Sequence, residues 1–469
     1  MAGYFLVGET KVRPGAYFNI GKNGDASTTD VINGVTAVIF RSDFGPLGYA
    51  VELSAEEGYE TTYGTGGTTD AIRQALNGGA QTIIACRLGT GGTAATITLK
   101  NKDEQDAVKI SAKHPGAKEF SVTIKEKLTD PSMKQCIIYS GTKAVETIDF
   151  AAGEGEAQSL VKAVSVGSNF VAELLEGQGD SILANAQQRK MNPGTDPTIT
   201  TEDYSNAFTA VEPYMFNTIC VDTEDTSVHL LLAGFVDRIF ESGNLTQAVV
   251  AEKSSVDLET RMSRAAAYNN EKMNYVLNSK VDVSGETLEG YQTAARIAGM
   301  ISSVSSRLSL THKVVPGFTD LYEKLTNTNV IKAEKNGCIV LSMNTKNQVW
   351  IDSAINTLIT PPDNKDAGWK KIRRTKTRFE LLRRCNQVTD EIIGRVDNDS
   401  NGRKTIIGQL LGVGSDMIAE GKLVSFNVTE SDLHVSDGDS CWFNLDVIDK
   451  DSAEHIYLFY NFQFSSNVE

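Results

Sequence analysis

Two regions in which strand and helix patterns alternate flank a region of short, closely spaced strands. In the first region, the apolar runs Val35–Phe40 and 81–87 are typical of strands and lie on either side of a helix. From about residue 91 to 186, short segments of alternating polarity such as 95–99 indicate a small antiparallel domain. Strand and helix patterns resume near residue 204, with an apolar strand run at 216–221. The clearest helix pattern follows, in which these apolar residues recur at helical spacing: Val228, Leu231, Leu232, Phe235, Val236 and Ile239. We therefore predict an α/β fold, with an α+β core split by a β-rich insertion domain.

The chain is acidic, and this excludes several classes of partner. Its 469 residues include 60 aspartates and glutamates against 45 lysines and arginines, a formal net charge of −15. We predict no nucleic-acid partner, since neutralising phosphates requires an excess of cations. No run approaches the roughly 18 apolar residues of a membrane-spanning helix, so we also predict no direct membrane insertion. The six cysteines are widely spaced without a C-x-x-C pair, which favours reduced thiols.

Motifs for catalysis, metals and cofactors are missing from the sequence. The glycine-rich run 64–67 precedes a helix, but no phosphate-loop lysine follows it, so a turn explains the glycines more simply. The five histidines are far apart and none forms a known metal-binding motif. We predict no catalytic, cofactor-binding or metal-binding residues, and no enzyme. The alternative is a nucleotide- or phosphoester-handling α/β enzyme that uses the loop 64–67.

Charge is unevenly distributed near the C-terminus. Between residues 360 and 384 there are nine basic and three acidic residues, whereas residues 430–469 contain nine acidic residues and one lysine. A basic stripe on an acidic chain indicates a specific acidic partner surface, which could be the tail of another copy. The alternative is a solvated charged face. Residues 371–376 could form a strand, with a helix after them.

The last residues of the chain have the pattern of one long strand. Ile456, Leu458, Tyr460 and Phe462 alternate with residues on a second face that also carries aromatic side chains. An unpaired strand of this kind would be an aggregation hazard. It should pair within the chain's own sheet or with a neighbouring copy by strand addition.

Several short segments are similar to contractile phage tail sheath proteins. They are 13–17 (Arg-Pro-Gly-Ala-Tyr), 44–46 (Phe-Gly-Pro), 75–87, 266–272 (Ala-Ala-Tyr-Asn-Asn-Glu-Lys), 309–317 (Ser-Leu-Thr-His-Lys-Val-Val-Pro-Gly) and 355–360 (Ile-Asn-Thr-Leu-Ile-Thr). Their order and spacing match the family, and together they span nearly the whole chain except the insertion. The sequence therefore resembles this family.

The resemblance implies a core interrupted by an insertion, with extended arms at both ends. Its five parts would be an N-terminal arm (1–22), the first part of the core sheath domain (23–90), an outward-facing β-rich insertion domain (91–190), the second part of the core (191–450) and a C-terminal arm strand (451–469). The arms would add strands to neighbouring subunits, with Val12, Tyr17, Ile456, Leu458, Tyr460 and Phe462 as the candidate exchange residues. The candidate tube-facing residues are Lys370, Lys371, Arg373, Arg374, Lys376 and Arg378.

The implied function is structural and needs no cofactor. The subunit would polymerise into a helical contractile sheath around a tail tube, and contraction would drive the tube through the target cell envelope. Its partners would be further copies of itself, the tail tube protein, and the baseplate and tail terminator proteins. It would assemble in the bacterial cytoplasm and reside in a virion tail, a bacteriocin-like particle or another phage-tail-like machine.

Overall fold

The computed structural model describes residues 3–4, 17–18, 33–55, 58–167 and 169–462. Within these ranges the protein is a mixed α/β structure with one seven-stranded sheet and several small antiparallel sheets. None of the described helices combines the length and the apolar character needed to cross a membrane. All six cysteines are free thiols, and five of them are buried.

The elements fall into three stretches along the chain. The first contains β1 (Gly3–Tyr4), β2 (Tyr17–Phe18), β3 (Val35–Phe40), β4 (Ala50–Ser54), α1 (Tyr59–Tyr63), α2 (Asp70–Gly78) and β5 (Thr82–Arg87). The second contains β6 (Thr96–Lys100), β7 (Asp106–Ala112), β8 (Ser121–Glu126), β9 (Met133–Ser140), β10 (Lys143–Ala151), α3 (Glu156–Val164), β11 (Phe170–Leu174) and β12 (Ala186–Lys190).

The third stretch is the longest. It contains α4 (Thr201–Val211), β13 (Thr218–Val221), α5 (Thr226–Glu241), β14 (Gln247–Ala251), α6 (Leu258–Tyr268), β15 (Met273–Val276), β16 (Val281–Val283), β17 (Glu286–Leu288), α7 (Gly290–Ser303), β18 (Asp320–Leu321), α8 (Asn327–Lys335), β19 (Cys338–Ile339), β20 (Leu341–Met343) and β21 (Val349–Ile351). It ends with a 3-10 turn (Ala367–Lys370), α9 (Ile372–Ile392), α10 (Ser400–Ala419), β22 (Leu423–Glu430) and β23 (Phe443–Asp449).

The seven-stranded sheet combines strands from the first and third stretches. Its order is β19-β15-β14-β13-β3-β5-β4, and the edge strand β4 runs antiparallel to β5. Helices α2 and α7 cover one face, and α4, α5 and α6 cover the other. Because both faces are buried, the parallel strands are continuous apolar runs rather than alternating ones.

Helices α2 and α7 approach each other closely because glycines line their contact. A Cβ at Gly299 would overlap the backbone of Ala75, and a Cβ at Gly78 would overlap the carbonyl of Arg296. The small residues that the sequence places in α7 therefore permit the close helix packing that their size suggests.

Residues 96–190 form two small sheets around their own apolar core. The strand orders are β10-β9-β8-β12 and β11-β7-β6, and α3 packs against both sheets. The connections to the rest of the chain lie side by side, with Thr93 opposite Thr195. Phe44 from the first stretch packs on Phe120 with ring centroids 5.2 Å apart. The insertion is thus joined to the central sheet by two adjacent connections and one aromatic contact region.

The last elements form a small unit of two helices and a hairpin. Leu381 of α9 and Leu410, Val413 and Met417 of α10 pack against strands β22 and β23. These two strands pair with each other and with no other described strand.

One sequence prediction is wrong in the described chain, and another stays untested. Residues 371–376 are not a strand, since α9 begins at Ile372 and buries Ile372, Thr375 and Phe379 at helical spacing. Residues 451–462 have no regular secondary structure in the single chain, so the predicted C-terminal strand stays a prediction that depends on a neighbouring copy. No described strand runs beside them, and a strand needs a neighbour to satisfy its backbone groups.

Candidate functional site

The loop 64–67, on which the enzyme alternative depends, packs against the Asp43 carboxylate and leaves no space there for a phosphate. A Cβ at Gly66 would overlap the carboxylate of Asp43. Arg41 Nε donates to Asp222 Oδ2 at 2.6 Å, and the Thr68 hydroxyl donates to the same oxygen at 2.5 Å. Two carboxylates at this site oppose the binding of a phosphate, so the glycines serve a close turn around Asp43 and Arg41. Among the described residues, no group of three or more His, Cys, Asp or Glu side chains could hold a metal ion.

We expect Gly66→Val to destabilise the fold rather than to abolish an activity. The new side chain would have to displace the Asp43 carboxylate, and overpacking of this kind costs about 1–3 kcal/mol. Gly408→Ala in α10 is the matched control, since nothing lies within 4 Å of its Cβ position. Urea unfolding of both variants checks this, and equal stabilities would contradict the described loop packing.

A cluster of ion pairs joins the beginning of α9 to residues 449–454, hereafter the acidic segment. Arg374 donates to both carboxylate oxygens of Asp449, from Nε at 2.5 Å and from Nη2 at 2.6 Å. Lys371 Nζ lies 2.7 Å from Asp451 Oδ2 and 3.1 Å from Glu454 Oε2. The acidic partner surface that the basic stripe indicates is therefore the chain's own tail, bound within the same molecule.

The protonation equilibria of the acidic segment reflect these contacts. Burial is the largest single influence on the pKa of Asp451 and would raise it. The hydrogen bonds from Lys371 and the Ser452 amide, together with the charges of Lys371 and Arg374, outweigh burial, so the pKa is below its usual value. The pKa of Glu454 is lowered in a similar way. Ser309 also donates to Glu454 Oε1 at 3.0 Å. Asp451 and Glu454 are therefore held in their charged forms.

None of the six basic residues predicted to face a tube is fully exposed in the described chain. Arg373 is buried, and its partner Asp451 lies at 3.9 Å. Lys371 and Arg374 form the ion pairs described above. Of the remaining three residues, Lys370 donates to the Glu334 carbonyl at 2.6 Å, Lys376 donates to the Ile301 and Val304 carbonyls, and Arg378 donates to Glu271 at 2.9 Å. The sequence reveals the basic stripe, but it does not reveal that the fold packs these side chains against other parts of the chain.

Directly after the acidic segment, the chain exposes a run of large apolar side chains. This apolar segment (residues 456–462) contains Ile456, Tyr457, Leu458, Phe459, Tyr460 and Phe462, which are 67–92% exposed. A contiguous exposed apolar surface marks an interaction site. The four predicted exchange residues of the C-terminal arm all lie in it.

Of the two predicted exchange residues of the N-terminal arm, the structure describes one. Val12 lies outside the described residues. Tyr17 begins β2, which pairs in parallel with β1 through Gly3 and Tyr17. The exchange role of both residues stays a prediction.

Comparison with known proteins shows similarity to one family. Residues 198–357 match the family model described as the phage tail sheath protein central domain. This range contains β13, β14, β15 and β19 of the central sheet. The tail sheath protein of Staphylococcus phage Twort is 26% identical over 149 residues, which are 31% of this chain and 25% of that protein. The chain is therefore similar to phage tail sheath proteins, and its central part matches the model of their central domain. The matched family is structural, which supports the prediction that the chain is not an enzyme.

Further similarity extends over nearly the whole chain. The Bacillus subtilis (strain 168) protein YqbK is 22% identical over 482 residues, covering 97% of this chain and 98% of that protein. The crystal structure of a Desulfitobacterium hafniense sheath tail protein has the same fold, with a TM-score of 0.70 at 18% identity over 93% of this chain and all of that one. The contracted helical sheath of the anti-feeding prophage superposes with a TM-score of 0.52 at 10% identity over 97% of this chain and 99% of that one.

Proposed function

We propose that this protein polymerises into a helical contractile sheath around a tail tube, and that contraction drives the tube through the envelope of a target cell. The observation that carries the proposal is the apolar segment, whose six large side chains are exposed. Burial of that surface against another copy is the simplest way to remove it from water. The likeness of fold to a contracted helical sheath supports the same proposal.

We infer that the arms act by adding strands to neighbouring subunits. The alternating pattern of Ile456, Leu458, Tyr460 and Phe462 fits one face of a strand. Strands β22 and β23 form only a two-stranded sheet, so each has a free edge among the described residues. Such an edge is a template for an added strand. Val12 and Tyr17 are proposed to serve the N-terminal arm in the same way.

We propose the five-part organisation that the sequence predicts. It consists of an arm at 1–22, a core in two parts at 23–90 and 191–450, an outward-facing insertion at 91–190 and an arm at 451–469. The separate apolar core of residues 96–190 and their two adjacent connections support an independent insertion. Its outward orientation would keep it clear of the central tube.

The tube-facing role of the six basic residues at 370–378 stays a prediction, and it requires that their ion pairs within the chain can break. The acidic segment covers Lys371, Arg373 and Arg374 in the single chain. If these cations bind the tube, the acidic segment has to release them.

This condition gives a direct test. Neutralising the acidic segment with the triple substitution D449N/D451N/E454Q should raise co-sedimentation with purified tubes several-fold at low salt, because exposed cations then meet an acidic partner. The control is D432N/D437N/D439N, which removes equal charge from the loop between β22 and β23. Equal co-sedimentation of both triple variants would contradict the tube-facing assignment.

The other proposed partners are the tail tube protein, the baseplate and the tail terminator. The proposed location is a virion tail or phage-tail-like particle that is assembled in the bacterial cytoplasm. Likeness of fold to a chain of the anti-feeding prophage baseplate assembly supports a contractile particle.

Negative-stain electron microscopy of the purified full chain tests the proposed function. We expect hollow tubes or stacked rings when the protein is concentrated, and longer tubes when purified tail tube is added. Compact monomers under both conditions would contradict the proposal.

A further inference from the structure

A cavity lies between the N-terminal edge of the central sheet and helix α9. Its volume is about 70 Å³. Asn217 and Gln247 line it from the sheet, Ile301 lines it from α7, and Lys376 and Arg383 line it from α9. The cavity is therefore located where the last unit of the chain contacts the central sheet.

The lining carries more positive charge than its carboxylate can balance. Glu380 is the one acidic side chain in the wall. It accepts a hydrogen bond from Lys422 at 2.6 Å and another from Arg384, so its negative charge is already paired with two other cations. Neither Lys376 nor Arg383 has a carboxylate within ion-pairing distance among the described residues.

Both cations keep unused donors. Arg383 is 7% exposed, and its Nη2 donates to the Phe216 and Leu245 carbonyls, while its Nε has no hydrogen-bond partner. Lys376 uses two of its three donors on the Ile301 and Val304 carbonyls. Burial lowers the pKa of Lys376 to about 7, and the charge of Glu380 offsets the effect of burial only in part.

We propose that this cavity binds a small inorganic anion, with Arg383 Nε and the free donor of Lys376 as its ligands. Buried charges in proteins are paired or hydrogen-bonded, and here the one carboxylate in the wall, Glu380, forms its ion pairs with Lys422 and Arg384 instead of Lys376 or Arg383. The cavity has room for about five water molecules, which is comparable to a tetrahedral oxyanion. A bound anion would bridge the central sheet and α9, and it would stabilise the contact that Arg383 already makes with the strand ends.

Equilibrium dialysis of the full chain against labelled inorganic phosphate in chloride-free buffer tests the site, and it works equally on monomers and polymers. We expect saturable binding at a single site and at least about a tenfold loss of affinity for Lys376→Met and for Arg383→Met. Lys404→Met is the matched control, because Lys404 is an exposed lysine of α10, and its affinity should equal that of the unmodified chain. Competition by chloride would identify chloride as a second occupant of the same site.

Two results would overturn the proposal. One is the absence of saturable phosphate binding by the unmodified chain. The other is equal binding by the unmodified chain and by Lys376→Met. If Arg383→Met does not fold, Arg383→Lys and Lys376→Gln replace it, with binding expected to persist in the first and to be lost in the second.

Discussion

Deletion of residues 455–469 is expected to abolish tube formation and to leave the folded subunit intact. The described part of the deleted segment is exposed and has no regular secondary structure, so its loss should change stability by less than about 0.5 kcal/mol. The cut retains Glu454 and with it the ion pair to Lys371. The effect should therefore fall on assembly alone.

The expected size of this effect follows from the surface that assembly would bury. Full burial of a large apolar side chain stabilises by about 1.5–3 kcal/mol. Burial of even half of the six exposed side chains would change the association constant by several powers of ten. Sedimentation and electron microscopy of the truncated and full chains at matched concentrations measure this change.

Point variants separate arm exchange from general surface stickiness. Leu458→Asp should block assembly as the deletion does. Leu128→Asp should not, although Leu128 is 96% exposed, because it lies in the insertion. Normal tubes from the truncated chain would reject the C-terminal arm as an exchange element.

Arg374→Glu is expected to release the acidic segment from α9. Arg374 and Asp449 form a two-point ion pair in which both side chains are largely buried. The substitution leaves Asp449 without its partner and brings a like charge beside it. Breaking such a pair costs about 3–5 kcal/mol when it is buried, so about 2–4 kcal/mol is expected for this partly accessible one.

Hydrogen exchange measures this release locally. The Lys450 amide donates to the Lys422 carbonyl at 3.1 Å, and it should exchange at least about tenfold faster in Arg374→Glu. Adding Asp449→Arg should restore part of the protection, and the resulting double-mutant cycle isolates the pair. The control is Arg238→Glu, which breaks an exposed pair with Glu212 and should have little effect. Unchanged exchange in Arg374→Glu would mean that the acidic segment is held by other contacts.

Much of the central architecture could be predicted from local patterns. The continuous apolar runs around Val35–Phe40 and Thr218–Val221 became parallel strands buried on both faces. The apolar spacing of Val228, Leu232 and Ile239 became the buried face of α5. These predictions succeeded because periodicity reports which face of an element is buried.

The candidate site was predictable only in part. The apolar character of the segment 456–462 could be predicted from composition and alternation, because a strand with apolar side chains on both faces has no polar face to turn toward water. The burial of the charged side chains at the beginning of α9 could not be predicted in this way, because such side chains are typical of a solvated surface. Glu271, the partner of Arg378, lies 107 positions earlier in the chain, and no local pattern could have identified it.

The sequence by itself determined the type and approximate position of the strands and helices, the β-rich insertion, the reduced cysteines and the apolar character of the C-terminal end. These properties depend on side-chain chemistry and on periods of two or 3.6 residues. The tertiary structure alone decided that Asp449, Asp451 and Glu454 form ion pairs with part of the basic stripe within one chain. It also decided that Lys376 and Arg383 line a cavity in which neither of them forms an ion pair with a carboxylate. The physical reason is that Coulomb and hydrogen-bond energies depend on distance in space, and distance in space is set by how the units pack.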